Sequence, residues 1–155
     1  MSSSKRTATT ALSPLEVLFG RWDVQIRWSP KTHEMVGGPI TVHASAQFDW
    51  IEDGHFLIQR QGANGGPSEA RLLMGGDDTS GEFSVLYGDG RGVSRVYQMS
   101  FGDRVWRMWR NAPGFNQRFE GRLSTDGRTI EAHWEKSTTG DTWEHDFDLT
   151  YTKAD

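Results

Sequence analysis

Apolar and polar residues alternate with a period of two along most of this chain, and glycine-containing turns separate the alternating segments. A two-residue period is typical of β-strands that bury one face. The pattern predicts ten strands: 21–28, 40–51, 55–61, 69–75, 82–88, 92–101, 104–110, 115–123, 128–137 and 142–152. Short connections between them predict an antiparallel, up-and-down meander. We expect it to close into a barrel, because closure removes exposed strand edges.

One short helix is expected before the strands. Ser13 is suited to an N-cap, Pro14 to the first helical position, Glu16 to a capping box, and Gly20 to the helix end. No later segment has a helical period, so the fold class is all-β with one short N-terminal helix. A chain of 155 residues is sized for one domain. We therefore expect a single barrel domain over 13–155 and a disordered tail over 1–12.

Composition narrows the possible partners. A formal net charge of -4 provides no basic surface for nucleic acid, and we expect no nucleic-acid partner. Cysteine is absent, which excludes disulfides, thiol catalysis and thiolate metal sites. Residues 1–11 contain no apolar run, so we expect neither a signal peptide nor a membrane span, and the cytoplasm is the expected location. A homodimer is left open.

Hairpin geometry predicts which side chains face inward, because antiparallel partners point to the same face of a sheet. A turn at 102–103 places Arg95 opposite Arg110, and a loop at 52–54 turns Arg60 inward. The same reasoning, continued to the last strand, predicts one continuous inner wall. Its other expected members are Tyr97, Trp106, Met108, Gln117, Phe119, Trp134 and His145.

Facing arginines give this predicted interior its chemistry. Two guanidinium groups in an apolar cavity repel each other and lose hydration, so they need an anion, a carboxylate partner or water. Arginine can hold a carboxylate through two parallel hydrogen bonds, and Tyr97 would add a hydroxyl. We therefore predict binding of a small apolar or amphipathic molecule with a carboxylate or carbonyl head. The alternative, in which the arginine heads reach water at the barrel mouth, stays open.

Several segments resemble a known superfamily. Gly20-Arg21-Trp22, directly after the helix and opening the first strand, resembles the G-x-W element of calycins, which comprise lipocalins and fatty-acid-binding proteins. Four further stretches are similar to small, functionally uncharacterised bacterial calycin-like proteins: 48–54, 92–97, 109–115 and 134–136. The resemblance covers residues 14–152. It implies a lipocalin-like barrel with an internal pocket.

Two groups of calycin-like barrels suggest ligands. Fatty-acid-binding proteins hold a carboxylate with interior arginines and an R-x-Y pair, and Arg95-Val96-Tyr97 with Arg110 is similar in chemistry, although it lies mid-chain. Nitrobindin-like barrels hold haem through a histidine on a late strand, a position that His145 resembles. The longer G-x-W-x-G-x-G signature of that group is absent after Trp22. A hydrogen-bonded core histidine is the other interpretation of His145, and no other cofactor is indicated.

An enzyme is the main alternative to a binding protein. The chain has no nucleophile elbow, H-E-x-x-H motif or phosphate-binding glycine loop, and its histidines lack metal-ligand spacing, so no metal is expected. A closed barrel could still act as a cofactor-free isomerase or cyclase on a small hydrophobic, polyketide-like substrate. Tyr97 and His145 are the candidate catalytic residues. The sequence favours binding over catalysis.

Overall fold

The computed structural model describes residues 9–38, 40–63 and 69–154, and its strands form a closed antiparallel barrel. The all-β prediction is confirmed, with strand bounds close to those expected. The strands are β1 (Gly20–Trp28), β2 (Thr41–Ile51), β3 (Phe56–Ala63), β4 (Glu69–Gly76), β5 (Phe83–Asp89), β6 (Ser94–Gly102), β7 (Val105–Arg110), β8 (Asn116–Leu123), β9 (Thr129–Ser137) and β10 (Glu144–Lys153).

The barrel is an up-and-down meander that closes on its first strand. Each strand pairs with its neighbours in sequence, and β1 also pairs with β10. Trp22, for example, lies between Ala46 of β2 and Lys153 of β10. All ten strands therefore have hydrogen-bonded neighbours on both sides, which removes free sheet edges.

A 3₁₀ helix, Thr10–Leu18, packs across one end of the barrel. Its side chains Leu12, Leu15 and Leu18 are at most 1% exposed and belong to the core. The helix begins at Thr10, three residues before Ser13, which was the expected N-cap. Leu12, expected in the disordered tail, is instead buried in the core. Ser13 is not the cap, since its hydroxyl donates to the Thr10 carbonyl at 3.0 Å. The rest of the predicted tail, 1–8, lies outside the described residues.

Trp22, the aromatic residue of the G-x-W element, joins this helix to the barrel. Its indole Nε1 donates to the Leu18 carbonyl at 2.9 Å. The Lys153 ammonium lies 4.7 Å from the Trp22 ring centre and donates to the Phe19 carbonyl. The first strand, the last strand and the helix are thus fastened together at one end, which we call the closed end.

A second helix, α1 (Pro30–Val36), connects β1 to β2 at the opposite end of the barrel. It was not expected, because seven residues are too few to establish a helical period in the sequence. The Ser29 side chain caps it by accepting from the Thr32 amide at 3.2 Å. The Thr32 hydroxyl donates to Asp146 Oδ1 at 2.9 Å, which ties α1 to β10. A further 3₁₀ turn, Glu52–Gly54, connects β2 to β3. No helix in the described part of the chain is long and apolar enough to cross a bilayer.

From β6 to β9 the inward-facing residues are the predicted ones, although some of the cross-strand pairs differ from prediction. The β8–β9 register is as expected, with Phe119 opposite Trp134. Between β6 and β7 the pairing is shifted by two residues, so Met108 faces Met99 rather than Tyr97. The turn falls on Asp103 and Arg104, both with positive φ, instead of on 102–103. A shift of two preserves which side chains point inward.

The β2–β3 hairpin differs by one residue, which reverses the face of every β3 side chain. Ile51 pairs with Phe56, so the connection is the four residues 52–55 rather than a three-residue loop. Gln59 therefore points into the barrel and is 2% exposed. Arg60 lies on the outer surface, 3.3 Å from Asp49 Oδ2, and its predicted interior position is wrong.

A β-bulge in β10 changes the position of His145. The register shifts between His145 and Phe147, and Phe147 pairs with Trp134 on the inner wall. His145 turns outward, where its side chain is 44% exposed and its Nε2 lies 2.8 Å from Asp148 Oδ1. The predicted inward orientation of His145 is wrong, because the bulge adds one residue to the alternation.

Candidate functional site

The inner wall of the barrel is buried at the closed end and partly exposed at the end near α1, which we call the open end. Trp22, Phe48 and Met99 are fully buried at the closed end. The inward-facing Tyr87 and Trp134 remain partly exposed at the open end, although they pack on the same core. The inner wall is therefore partly exposed to solvent at the open end.

A group of inner-wall side chains at the open end forms the candidate site, here named the mouth cluster: Tyr87, Arg95, Tyr97, Arg110, Gln117 and Trp134. The meander brings them together, because β5, β7 and β9 end where β6 and β8 begin. Arg110 is the direct cross-strand partner of Gln117. Tyr87 is the partner of Arg95. Local pairing alone thus places aromatic, cationic and amide groups side by side.

Tyr97 lies at the centre of the mouth cluster. Its hydroxyl donates to Gln117 Oε1 at 2.6 Å, spanning β7 from β6 to β8. Its ring contacts Trp134 at 5.5 Å and Tyr87 at 6.3 Å between ring centres. Burial raises the pKa of Tyr97, while the positive charges of Arg95 and Arg110 partly oppose that change. The hydroxyl is therefore protonated at neutral pH.

The two arginines of the mouth cluster are half-buried and face the Tyr97 hydroxyl from β6 and β7. The Arg95 guanidinium carbon lies 5.0 Å from the Phe115 ring centre and 5.9 Å from that of Tyr87. Arg110 is level with Tyr97 and not with Arg95, because of the two-residue register shift. In the part of the chain that the structure describes, neither arginine forms an ion pair with a carboxylate.

Several arginines outside the barrel form ion pairs with neighbouring carboxylates. Arg118 lies 2.6 Å from Glu135 Oε1, and Arg91 lies 2.6 Å from Asp89 Oδ2. Their charges are balanced by neighbouring strands or turns. Arg95 and Arg110 instead present positive charge beside the partly exposed rings of Tyr87 and Trp134, an arrangement that suits an anionic group.

Three of the predicted lining residues fill the barrel rather than line a space at its mouth. Trp106, Met108 and Phe119 are on the inner wall but at most 2% exposed. They continue an aromatic column from the mouth cluster, since Trp134 lies 5.1 Å from Phe119 and Phe119 lies 4.7 Å from Trp106. The column ends at the buried core of the closed end.

The haem expectation depended on an inward-facing His145, and that residue lies outside the barrel. None of the histidines in the described ranges lies on the inner wall, so the residues present do not fit an iron site of that kind. His133, for example, belongs to the outer face of β9, opposite Glu120. The described residues also contain no group of three or more His, Asp or Glu side chains placed to hold a metal ion.

Sequence reasoning missed an internal amide pair, Gln59 and Gln61. Gln59 Nε2 donates to Gln61 Oε1 at 2.9 Å, and the buried Tyr151 hydroxyl donates to the same oxygen at 3.2 Å. Burial raises the pKa of Tyr151, so this hydroxyl keeps its proton. Two glutamines at alternate positions of a strand were the available signal. The apolar Ile58, which directly precedes Gln59, concealed it by suggesting the opposite face.

The fold is a closed, ten-stranded antiparallel β-barrel whose inner wall is partly exposed at one end. No protein-family model matches the sequence, and no curated protein is a significant match. Among solved structures, the chain is similar to the crystal structure of Rv2717c from M. tuberculosis, with a TM-score of 0.68 and 12% identity. The match covers 96% of this chain and 100% of the other. At that identity the similarity supports the barrel fold alone.

Proposed function

We propose that this chain is a calycin-like barrel that binds a small amphipathic molecule through its open end. A carboxylate or carbonyl head would lie against Arg95, Arg110 and the Tyr97 hydroxyl. The apolar body would pack on Tyr87 and Trp134. The observation that carries the proposal is the pair of half-buried interior arginines without a carboxylate partner among the described residues.

The energetic argument favours a charged head. A guanidinium group that is partly removed from water loses hydration, and hydrogen bonds to an acceptor recover more of that loss than contacts with aromatic rings do. A hydrogen bond to a charged group contributes about 1.5–3 kcal/mol, more than one between neutral groups. Two arginines can supply several such bonds to one carboxylate, and the Tyr97 hydroxyl would add one only by releasing its bond to Gln117. A carbonyl would accept fewer and bind less tightly.

Isothermal titration calorimetry with decanoate tests this proposal. Arg110→Gln should weaken binding by about 2 kcal/mol or more, roughly thirtyfold, because it removes a charged donor at the head. The matched control is Arg107→Gln on the outer face of the same strand, where the side chain lies 3.6 Å from Glu120. Methyl decanoate, which has no charge, should bind more weakly to the unmodified protein and respond little to Arg110→Gln.

Equal affinity of the unmodified protein and Arg110→Gln for decanoate would refute the head-group assignment. A similar loss in Arg107→Gln would show a general charge effect instead of a site. Catalysis has less support than binding, since His145 lies outside the barrel and the Tyr97 hydroxyl is already bonded to Gln117. The cytoplasmic location and the homodimer stay predictions.

A further inference from the structure

An apolar row crosses the outer surface of the barrel from β3 to β6. It consists of successive cross-strand partners: Ile58, Leu73, Leu86 and Val96. The row faces away from the core, because a residue directly beside each of them in the chain is buried inside the barrel. Leu86 is 51% exposed and Val96 is 67% exposed. Direct cross-strand neighbours lie close enough to form one continuous apolar surface.

Charged side chains are missing around this row. Strands β5 and β6, both described in full, hold only small or neutral residues at their other outward-facing positions: Ser84, Gly88, Ser94, Gln98, Ser100 and Gly102. The outer faces of β8 and β9 instead carry opposite charges in register, such as Arg118 with Glu135. An exposed apolar surface without charged residues is typical of the centre of a protein interface.

Two aromatic residues extend the apolar surface to the strands on either side. Phe56 on β3 is 38% exposed, and its ring lies over Gly75 of β4. Trp109 on β7 is half-buried and is the cross-strand partner of Gln98. Aromatic residues are enriched at protein interfaces. We call the whole surface the outer patch, formed by Phe56, Ile58, Leu73, Leu86, Val96 and Trp109.

The outer patch is large enough for a weak dimer. Strands lie about 4.8 Å apart, so the five strands from β3 to β7 span roughly 19 Å, and three outward residues along one strand span roughly 13 Å. With the side chains at its borders, the outer patch covers roughly 500 Å². Two copies would bury roughly 1,000 Å² together, which is about the minimum for a specific interface.

Charge favours a second copy of this chain as the occupant. The net charge of -4 makes two copies repel each other, and the repulsion is smallest where neither copy carries charge, as on the outer patch. At its border, Arg60 is already paired with Asp49. Arg71 is paired with Glu69 in the same way, so this border adds no unbalanced charge.

The alternation of large and small residues also favours a second copy. Leu86 lies near the centre of the outer patch, with Ser84 and Gly88 on either side of it along β5. When two sheets pack face to face, about 10 Å apart, the large side chains of one fit between those of the other. A twofold dimer brings the same surface of both copies together, so the leucine of each copy can lie against the small residues of the other.

We propose that the outer patch is the interface of a twofold dimer of this chain. The proposal does not depend on the proposed function, because the mouth cluster lies on the inner face of the barrel. Sedimentation equilibrium of the unmodified protein tests it without any ligand. Between about 1 μM and about 1 mM, the protein should change from monomer to dimer, as expected for an interface of this size.

Val96→Asp and Leu86→Asp should each weaken the dimer about a hundredfold or more. Each variant places two unpaired carboxylates, one from each copy, in an apolar interface. The matched control is Met35→Asp on α1, which adds the same charge at an apolar position that is 74% exposed and lies outside the outer patch. Its dissociation constant should stay within about twofold of the unmodified protein. Circular dichroism checks that each variant folds.

The absence of cysteine provides a second measurement, because a single introduced cysteine can form a disulfide only with its copy in another molecule. Near the centre of a twofold interface, Leu86→Cys should form a covalent dimer at least about tenfold faster than Met35→Cys, since the interface brings the two sulfur atoms together. If neither aspartate variant folds, this comparison alone decides the proposal.

A protein that stays monomeric at every concentration would overturn the proposal. A dimer that persists in both Val96→Asp and Leu86→Asp would mean that another surface forms the interface, and it would overturn the proposal equally. An equal loss in Met35→Asp would show a general effect of charge. Equal rates of disulfide formation in Leu86→Cys and Met35→Cys would show that the copies meet only by random collision.

Discussion

The two ends of the barrel use similar residue types for different purposes. At the closed end, leucines of the 3₁₀ helix and the rings of Trp22 and Phe48 are removed from water completely. At the open end, the aromatic Tyr87 and Trp134 share the inner wall with Arg95 and Arg110 and stay partly exposed. The first arrangement stabilises the fold, and the second leaves polar groups available to another molecule.

The covering helices differ in the same way. The 3₁₀ helix presents three fully buried leucines to the core. Helix α1 contacts β10 chiefly through polar groups, including the Thr32 hydroxyl and the Lys31 ammonium, which lies 2.5 Å from Glu144 Oε2. Apolar burial usually contributes more to stability than exposed ion pairs. We therefore expect substitutions at the closed end to cost more stability than those at the open end.

The largest effect should come from Leu15→Ala at the closed end. Leu15 is fully buried, and truncation of a core leucine costs about 2–5 kcal/mol because it removes apolar contacts and leaves a cavity. Urea unfolding measures this change. Val17→Ala, an exposed position on the same helix, should change stability by less than about 0.5 kcal/mol. Similar values for both variants would contradict a stabilising role for the helix.

Tyr97→Phe should have the next largest effect, at the open end. It removes the hydroxyl that donates to Gln117 and leaves a mostly buried acceptor without its partner, at a cost of about 1–3 kcal/mol. Urea unfolding and decanoate titration measure the two consequences, which are lower stability and weaker binding. Unchanged stability would show that this hydrogen bond is not formed in solution.

Thr32→Val should have a smaller effect confined to α1. The substitution keeps the shape of the side chain but removes the hydroxyl bonded to Asp146, and we expect a loss of about 1 kcal/mol. Amide hydrogen exchange should accelerate at His33 and Gly37, whose amides bond within α1, while closed-end amides such as Leu12 stay protected. Equal acceleration at both ends would contradict their independence.

The smallest expected effect is a pH dependence at the open end. Hydrogen bonds from Arg91 and Tyr87 hold the pKa of Asp89 well below its usual value of 3.8. Because the folded pKa is lowered, the stabilisation is complete above about pH 4 and declines as pH falls below that value. The difference in urea midpoint between the unmodified protein and Asp89→Asn should therefore shrink between pH 5 and pH 2, while Asp141→Asn has little effect throughout. A difference independent of pH would contradict this assignment.

The sequence was sufficient to predict the strands, their order and most inward faces, because a strict period of two survives two-residue register shifts. Arg95, Tyr97 and Arg110 were placed on the inner wall for this reason. The predicted faces of Arg60 and Gln59 are reversed in the structure, because they depend on the length of the connection at 52–55. That length is set by a local 3₁₀ turn, which the residues Glu52-Asp53-Gly54 do not specify uniquely. His145 was misplaced because nothing in the alternation marks a bulge.

Burial depth was also beyond the sequence. Trp106, Phe119 and Trp134 follow the same pattern of inward positions, yet the first two are core and the third is partly exposed. The burial of each residue depends on how close its position lies to the open end of the barrel. It also depends on how completely a helix covers the nearer end. Neither is encoded in the local period of a single strand.

The pairing of β1 with β10 constrains when this protein can fold. This pairing, which closes the barrel, joins segments separated by almost the entire chain. It extends to Ala154, whose amide donates to the Arg21 carbonyl at 2.9 Å. Contacts so distant in sequence make folding slow. A nascent chain that lacks β10 would leave β1 and β9 as unpaired sheet edges. During synthesis the barrel therefore cannot close until β10 has been made, and until then these edges can associate with other chains.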